Sequence, residues 1–451
     1  MAVVEAIHRL MWGPWLLFLF LGVGIFYTLK LKGFQVFYLT KWWNATIGTL
    51  GRGEADSHTH FATACTALAA TVGTGNIAGV ATAIAAGGPG TIFWMWISAC
   101  LGMVTAYAET FLGIKYRYRK SDGHYVCGPF VYLERGLHNR SMGVIYACFC
   151  VMASLGMGSM VQSHSIAESL SYSFSCSPTL CAVMVTSLAM LVIVGGIKRI
   201  SETATRLVPC SAGLYMVFCG IVIFTFYDRI PGVVLGILED AFTFKSAAGG
   251  AAGYVTGKAL RYGMARGIFS NEAGLGSLAV LHGDAEQTSP REQGLWAVFE
   301  VFFDTMISCT LTALVILCVM GTESAPLGQS EFAVQAPGGS AVVAYCFSRC
   351  FGRAGGYLIA VIMTLFAFAT IIAWFYLGRQ AVVYLTEEKK YKRKILKIYT
   401  FLYLNAVFWG CMAKLRLVWS LSDIFNGLMA IPNLIGLLWL SKEVESPFTG
   451  E

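Results

Sequence analysis

The segment Ala70-Thr71-Val72-Gly73-Thr74-Gly75-Asn76-Ile77-Ala78-Gly79 decides how this chain is read, because it interrupts an otherwise continuous apolar run from Phe61 to Ala86. A glycine in a helix interior costs about 1 kcal/mol relative to alanine, so Gly73, Gly75 and Gly79 together mark a place where a spanning helix unwinds. Unwound backbone at membrane depth leaves amides and carbonyls without partners. It persists only against a protein-lined cavity or a ligand. The segment is therefore a candidate binding site on physical grounds alone.

The composition around it is that of a membrane protein. Of 451 residues, 56% are hydrophobic and only 13% charged, about half the charge of an ordinary soluble domain. Apolar runs of spanning length are Pro14–Leu29, Phe61–Ala86, Ile92–Ile114, Met142–Tyr172, Thr179–Gly196 and Arg206–Phe226, followed by Tyr254–Leu281, Gly294–Met320, Gly356–Leu385, Ile395–Met412 and Val418–Leu440. The expected fold is thus an all-α polytopic membrane protein of about eleven transmembrane helices. The first run is followed by Leu31-Lys32-Gly33-Phe34 rather than a small-residue cleavage site, which makes it a retained span. Gly339 to Phe351 is too short to cross and is expected at the surface, as one arm of a helical hairpin.

With the N-terminus outside and the C-terminus cytoplasmic, twenty-one lysines and arginines fall on the cytoplasmic side and nine on the other, leaving Arg266 and Arg379 inside spans. The positive-inside rule favours that orientation. The net charge of +7 then reflects cytoplasmic loops and calls for no nucleic-acid partner. The fourteen cysteines lack metal-type spacing and read as small apolar residues.

A second glycine-broken run, Arg266-Gly267-Ile268-Phe269-Ser270-Asn271-Glu272-Ala273-Gly274-Leu275-Gly276-Ser277, lies five spans after the first. Paired breaks at corresponding positions point to a transporter built from two inverted five-helix repeats, with its site between the breaks. Residues 1–56 are then an N-terminal transmembrane helix and an amphipathic connection, 57–230 the first repeat, and 231–451 the second repeat with the cytoplasmic C-terminus. Half-helix ends carry opposite partial charges and can hold a zwitterion. The amides around Gly73, Thr74 and Gly75 suit a carboxylate, and carbonyls freed between Phe269 and Glu272 suit an ammonium. Asn76 offers an amide to the one or an oxygen to an ion. Charges inside spans are functional candidates by default, here Glu109, Arg266, Glu272, Glu300, Asp304 and Arg379.

At these stretches the sequence resembles the alanine or glycine:cation symporter family, the sodium:alanine symporters. The matching blocks are residues 63–80, Gly87-Gly88-Pro89-Gly90, residues 267–277 and Asp304-Thr305. The resemblance implies a leucine-transporter-like fold, with one N-terminal helix ahead of the 5+5 inverted repeat. It implies sodium-coupled import of small neutral amino acids, alanine or glycine, by alternating access, in a multi-pass protein of the cell's inner membrane. It also implies that Gln162 faces the substrate, that Phe269 and Trp374 wall a small pocket, and that Ser270 and Thr370 belong to the same site. Placed on that fold, the sodium ligands are the carbonyls of Ala69 and Val72 together with Phe366 and Thr370. Ala369 stands where the family often has serine, which removes one hydroxyl ligand. A proton in place of sodium stays open, as does a transporter-fold sensor that binds without transport. No HExxH motif or nucleophile elbow suggests an enzyme, and no cofactor is expected.

Overall fold

The computed structural model describes residues 4, 7, 10–50, 57–120, 123–242, 251–286, 288–321, 339–387, 389–413 and 415–448. Arg9, Arg52, Lys245 and Lys414, which helped to orient the chain, lie outside the described residues.

The chain is almost wholly helical. After α1 (Pro14–Lys30) and three short turns of helix, the first broken run appears as α2 (Ser57–Thr71) and α3 (Gly75–Gly87), bent by 48°. Then come α4 (Thr91–Tyr116), a two-stranded antiparallel hairpin of β1 (Tyr118–Arg119) and β2 (Tyr125–Val126), and α5 (Pro129–Arg135). The long α6 (Arg140–Phe174), α7 (Pro178–Val194) and α8 (Gly196–Thr225) follow, with α9 (Ile230–Phe242) after them. The second broken run is α10 (Ala251–Asn271) and α11 (Ser277–Leu281). The remainder is α12 (Pro290–Met320), α13 (Gly339–Phe351), α14 (Arg353–Leu385), α15 (Lys392–Gly410) and α16 (Leu415–Trp439). Six helices among the described residues are long and apolar enough to cross a membrane, or seven if α2 and α3 are one span; α1 and α7 are shorter apolar helices.

Local chemistry sets these boundaries. The Asn139 side chain accepts from Met142 N at the start of α6, Ser177 does the same for Leu180 N with Pro178 next, and Ser289 and Glu292 form a capping box before Pro290. Gly88, at φ +82°, closes α3 ahead of Pro89. The large apolar side chains left outside, among them Phe18, Leu191, Phe224 and Phe401, form a surface suited to lipid.

α4 lies along α10 and α12, and α14 runs past α6, α8 and α13, so that both broken runs are enclosed. One expectation is corrected here. α13 is not at the surface: Ser340 to Ala344, Cys346 and Phe347 are buried, and Phe347 stacks on Tyr215 of α8. Its length excludes crossing, but it does not exclude burial. Small residues let it lie against the first break, where a Cβ on Gly339 would stand 2.3 Å from the carbonyl oxygen of Ala78. α9, of 13 residues, had no counterpart among the runs of spanning length.

Gly339→Val should therefore destabilise the protein by about 1–3 kcal/mol, the usual range for overpacking. Thermal unfolding in detergent reads this as a lower midpoint, whereas Gly213→Val, on a face of α8 with open space around it, should leave the midpoint nearly unchanged. Equal midpoints for the two variants would show that α13 is not seated against the break.

Candidate functional site

Each helix break exposes backbone groups that must find partners. In the second break, Glu272 at φ +57°, Gly274 at +88° and Gly276 at +82° turn the chain out of helical geometry. The amide of Ala273 donates to Asn271 Oδ1 (3.1 Å), and that of Gly274 donates to Glu109 Oε1 (3.4 Å). In an uninterrupted helix these two amides would have bonded the carbonyls of Phe269 and Ser270. Those two carbonyls therefore lose their helical donors. The amide of Gly276 donates to Glu109 Oε2 (3.0 Å), and Asn433 of α16 bridges the same carboxylate oxygen and the Gly274 carbonyl, both at 2.9 Å. Tyr146 of α6 donates to the Leu275 carbonyl (2.8 Å). Glu109 thus caps the second break from α4.

In the first break, the amide of Gly73 donates to Asn76 Oδ1 (2.8 Å) and that of Thr74 donates to Gln162 Oε1 (3.3 Å). Two of the three amides expected to receive a carboxylate are accordingly held by the oxygens of the two side chains assigned to the same site. The Thr74 hydroxyl, fully buried, has no hydrogen-bond partner among the described residues. Asn76 is tied further: its amide nitrogen donates to Asp304 Oδ1 (2.6 Å) and to the Asp304 carbonyl (3.1 Å), and its own carbonyl accepts from Thr312 (2.6 Å). Thr305 donates to the other Asp304 oxygen at 2.9 Å and accepts from Asn271 at 3.1 Å. Asp304 has no ion pair among the described residues, so these donors are what support its carboxylate.

The two breaks meet. A Cβ on Gly75 would lie 3.3 Å from the Cα of Ser270 and 3.5 Å from the Phe269 ring, so glycine is what allows this approach. A Cβ on Gly73 would lie 2.6 Å from Thr370 Oγ1 and 3.3 Å from Gln162 Oε1. Gly73, Thr74, Gly75, Asn76, Gln162, Ser270, Phe269 and Thr370 therefore form one buried cluster. Trp374 joins it from one turn along α14: its Cβ would be 2.2 Å from a Cβ on Gly158, and its indole nitrogen donates to Glu272 Oε1 (2.8 Å). Phe269 also stacks on Trp419, ring centroids 4.9 Å apart, with the Arg266 guanidinium 4.6 Å from the Trp419 ring.

The ion-site residues divide. Thr370 reaches the first break at Gly73, but its hydroxyl donates to the Phe366 carbonyl of its own helix (3.1 Å). Ala69, Val72 and Phe366 are buried, Phe366 with its ring against Tyr215 at 5.5 Å.

Three π-helical stretches, Gly75–Gly79, Ser154–Val161 and Phe302–Cys309, supply or flank Asn76, Gln162 and Asp304. Such widened turns are frequent at functional sites. Cys309, whose sulfur lies 3.4 Å from Ser270 Oγ and 3.6 Å from Asn76 Nδ2, and Asn433 were not anticipated. A lone cysteine or asparagine inside a span gives no periodic or motif signal.

The profile described as the sodium:alanine symporter family matches residues 1–448. The sodium/alanine symporter AgcS of Methanococcus maripaludis is 37% identical, covering 99% of this chain and 96% of its own length. An uncharacterized transporter of Haemophilus influenzae is 40% identical, covering 98% and 94%. Among solved structures, MhsT in complex with L-phenylalanine superposes with a TM-score of 0.52 at 14% identity, over 84% of this chain and 97% of that one. At that identity the likeness speaks to the fold alone.

Asn76→Ala removes donors from the Gly73–Asp304 bridge, and Asn76→Asp replaces them with a second carboxylate beside the first. Leaving such a buried group short of partners costs about 1–3 kcal/mol, and more for a charged one. Unfolding midpoints at neutral pH should fall in the order wild type, Asn76→Ala, Asn76→Asp. The reverse order of the two variants would remove Asn76 from its bridging role.

Proposed function

Starting from the fact that this chain belongs to the sodium:alanine symporter family, we propose that it imports small neutral amino acids, alanine and glycine, with sodium as the coupling ion. It works by alternating access between two halves, 57–230 and 231–451, in the cell's inner membrane, with its N-terminus outside and its C-terminus cytoplasmic. The observation that carries this reading is the close approach of the two breaks, Gly75 against Ser270, with freed carbonyls on one and side-chain-held amides on the other.

A zwitterion needs both its charges satisfied in a low-dielectric site, and the two half-helix ends suit that need. The substrate carboxylate takes the amides of Gly73, Thr74 and Gly75 by displacing the Asn76 and Gln162 oxygens; the Asn76 side-chain nitrogen stays bonded to Asp304, and the Gln162 side-chain nitrogen turns to the carboxylate. The ammonium takes the carbonyls of Phe269 and Ser270. Phe269 and Trp374 close the pocket and limit the substrate side chain to about a methyl group. Sodium is a hard cation that wants oxygen. Carbonyls of Ala69 and Val72, with Phe366 and the Thr370 hydroxyl, are the proposed ligands, and they brace the same break that holds the carboxylate. Sodium is favoured over a proton as the coupling ion by the names of the family and of the AgcS relative.

The test is radiolabelled alanine uptake into proteoliposomes with the sodium and proton gradients varied separately. Uptake should accumulate alanine against its gradient only when sodium is directed inward, and Gln162→Ala should weaken alanine binding at least tenfold. Uptake indifferent to both gradients would contradict coupling. Binding without counterflow would make the protein a sensor.

A further inference from the structure

The candidate site is bordered by two carboxylates that the transport reading does not use. Glu109 and Glu272 are fully buried, and among the described residues no lysine, arginine or histidine pairs with either. Their surroundings differ. Glu109 accepts three hydrogen bonds, from the amides of Gly274 and Gly276 and from Asn433, so its charge is neutralised by the break it caps. Glu272 accepts one of normal geometry, from the Trp374 indole; its Oε2 has no such donor among the described residues. The buried hydroxyl of Ser277 stands beside it and bears on its carboxylate, outside normal hydrogen-bond geometry. Two adjacent buried carboxylates cannot both carry charge without a cation, and the one with fewer donors takes the proton.

The other groups facing Glu272 are accounted for. Glu300 on α12 is bonded to His282 at 3.0 Å, and Asp304 on the same helix accepts from Asn76 and Thr305. Tyr146 and Cys150 face it from α6, and Tyr146 is engaged with the Leu275 carbonyl. None of these offers a positive charge to Glu272. A proton on Oε2 supplies the missing donor, and the Ser277 oxygen is the acceptor at hand.

We propose that Glu272 is a proton-binding group whose occupancy is coupled to the substrate site through Trp374, while Glu109 stays ionised as the fixed cap of the second break. The coupling route is short. Trp374 bonds Glu272 at one end and is wedged against Gly158 at the other, and the π-helical stretch that holds Gly158 leads directly into Gln162, which holds the Thr74 amide. The closed geometry, with Trp374 in place and Glu272 sealed from water, is the one a neutral Glu272 fits. By linkage, the proton and alanine then favour each other.

The affinity half of this inference rests on the transport reading; the proton half does not. In wild-type protein, dicyclohexylcarbodiimide, which reacts with protonated carboxyl groups in apolar surroundings and leaves a stable N-acylurea, should label Glu272 and not Glu109 by peptide mass spectrometry, and less as pH rises. Alanine affinity should weaken with rising pH by up to about tenfold per unit, the limit for one linked proton, and Glu272→Gln should hold the low-pH affinity with no slope. An adduct on Glu109 instead, no adduct at Glu272, or a Glu272→Gln variant that keeps the wild-type slope would overturn the proposal. Labelling at Glu272 in a protein that binds no alanine would uphold the proton site and overturn the alanine reading.

Discussion

A peptide group inside a bilayer has no water to fall back on, and the centre of this protein is arranged around that constraint. Two helices break in the buried centre of the fold, and the groups they release are met from neighbouring elements. Glu109 and Asn433 take the second break, and Asn76 and Gln162 take the first. What these leave over, the carbonyls of Phe269 and Ser270 and the hydroxyl of Thr74, is concentrated where the breaks touch. On the transport reading, this is where a small dipolar molecule is held.

The same constraint explains the buried acids. A carboxylate without a cation is expensive in hydrocarbon, yet Glu109, Asp304 and Glu300 each lie where backbone amides, side-chain amides, hydroxyls or a histidine point at them. Glu109 and Asp304 work as caps that hold Gly276 and Asn76 in place. Glu272 stands apart with only the Trp374 indole donating in normal geometry among the described residues and a backbone turned to positive φ, a conformation that costs a non-glycine residue about 1 kcal/mol or more.

Much of this was legible in the sequence because the informative residues break a strong pattern. Glycines inside apolar runs betrayed both discontinuous helices, and their spacing paired them; α2–α3 and α10–α11 fall on those stretches. The intramembrane acids were likewise conspicuous. What could not be read were partnerships across the fold. Asn433 lies 324 residues from Glu109, and nothing in its surroundings distinguishes it from an asparagine that ties two helices together. Thr370 illustrates the same limit from the other side, since a threonine in a span can serve an ion or bond its own helix, as it does here, and residue type does not choose between the two. α13 was misplaced because length decides whether a helix spans, whereas burial depends on small residues such as Gly339 meeting a backbone elsewhere.

The central claim is that the two breaks, the amino acid and the ion form one cooperative site. Its most direct test is the affinity of purified protein for alanine by isothermal titration calorimetry, in sodium chloride and in potassium chloride of equal ionic strength. If sodium fixes the first break in its carboxylate-binding shape, alanine binds about tenfold or more tightly in sodium, and sodium binds more tightly in alanine by the same factor. Equal alanine affinity in the two salts would contradict the account.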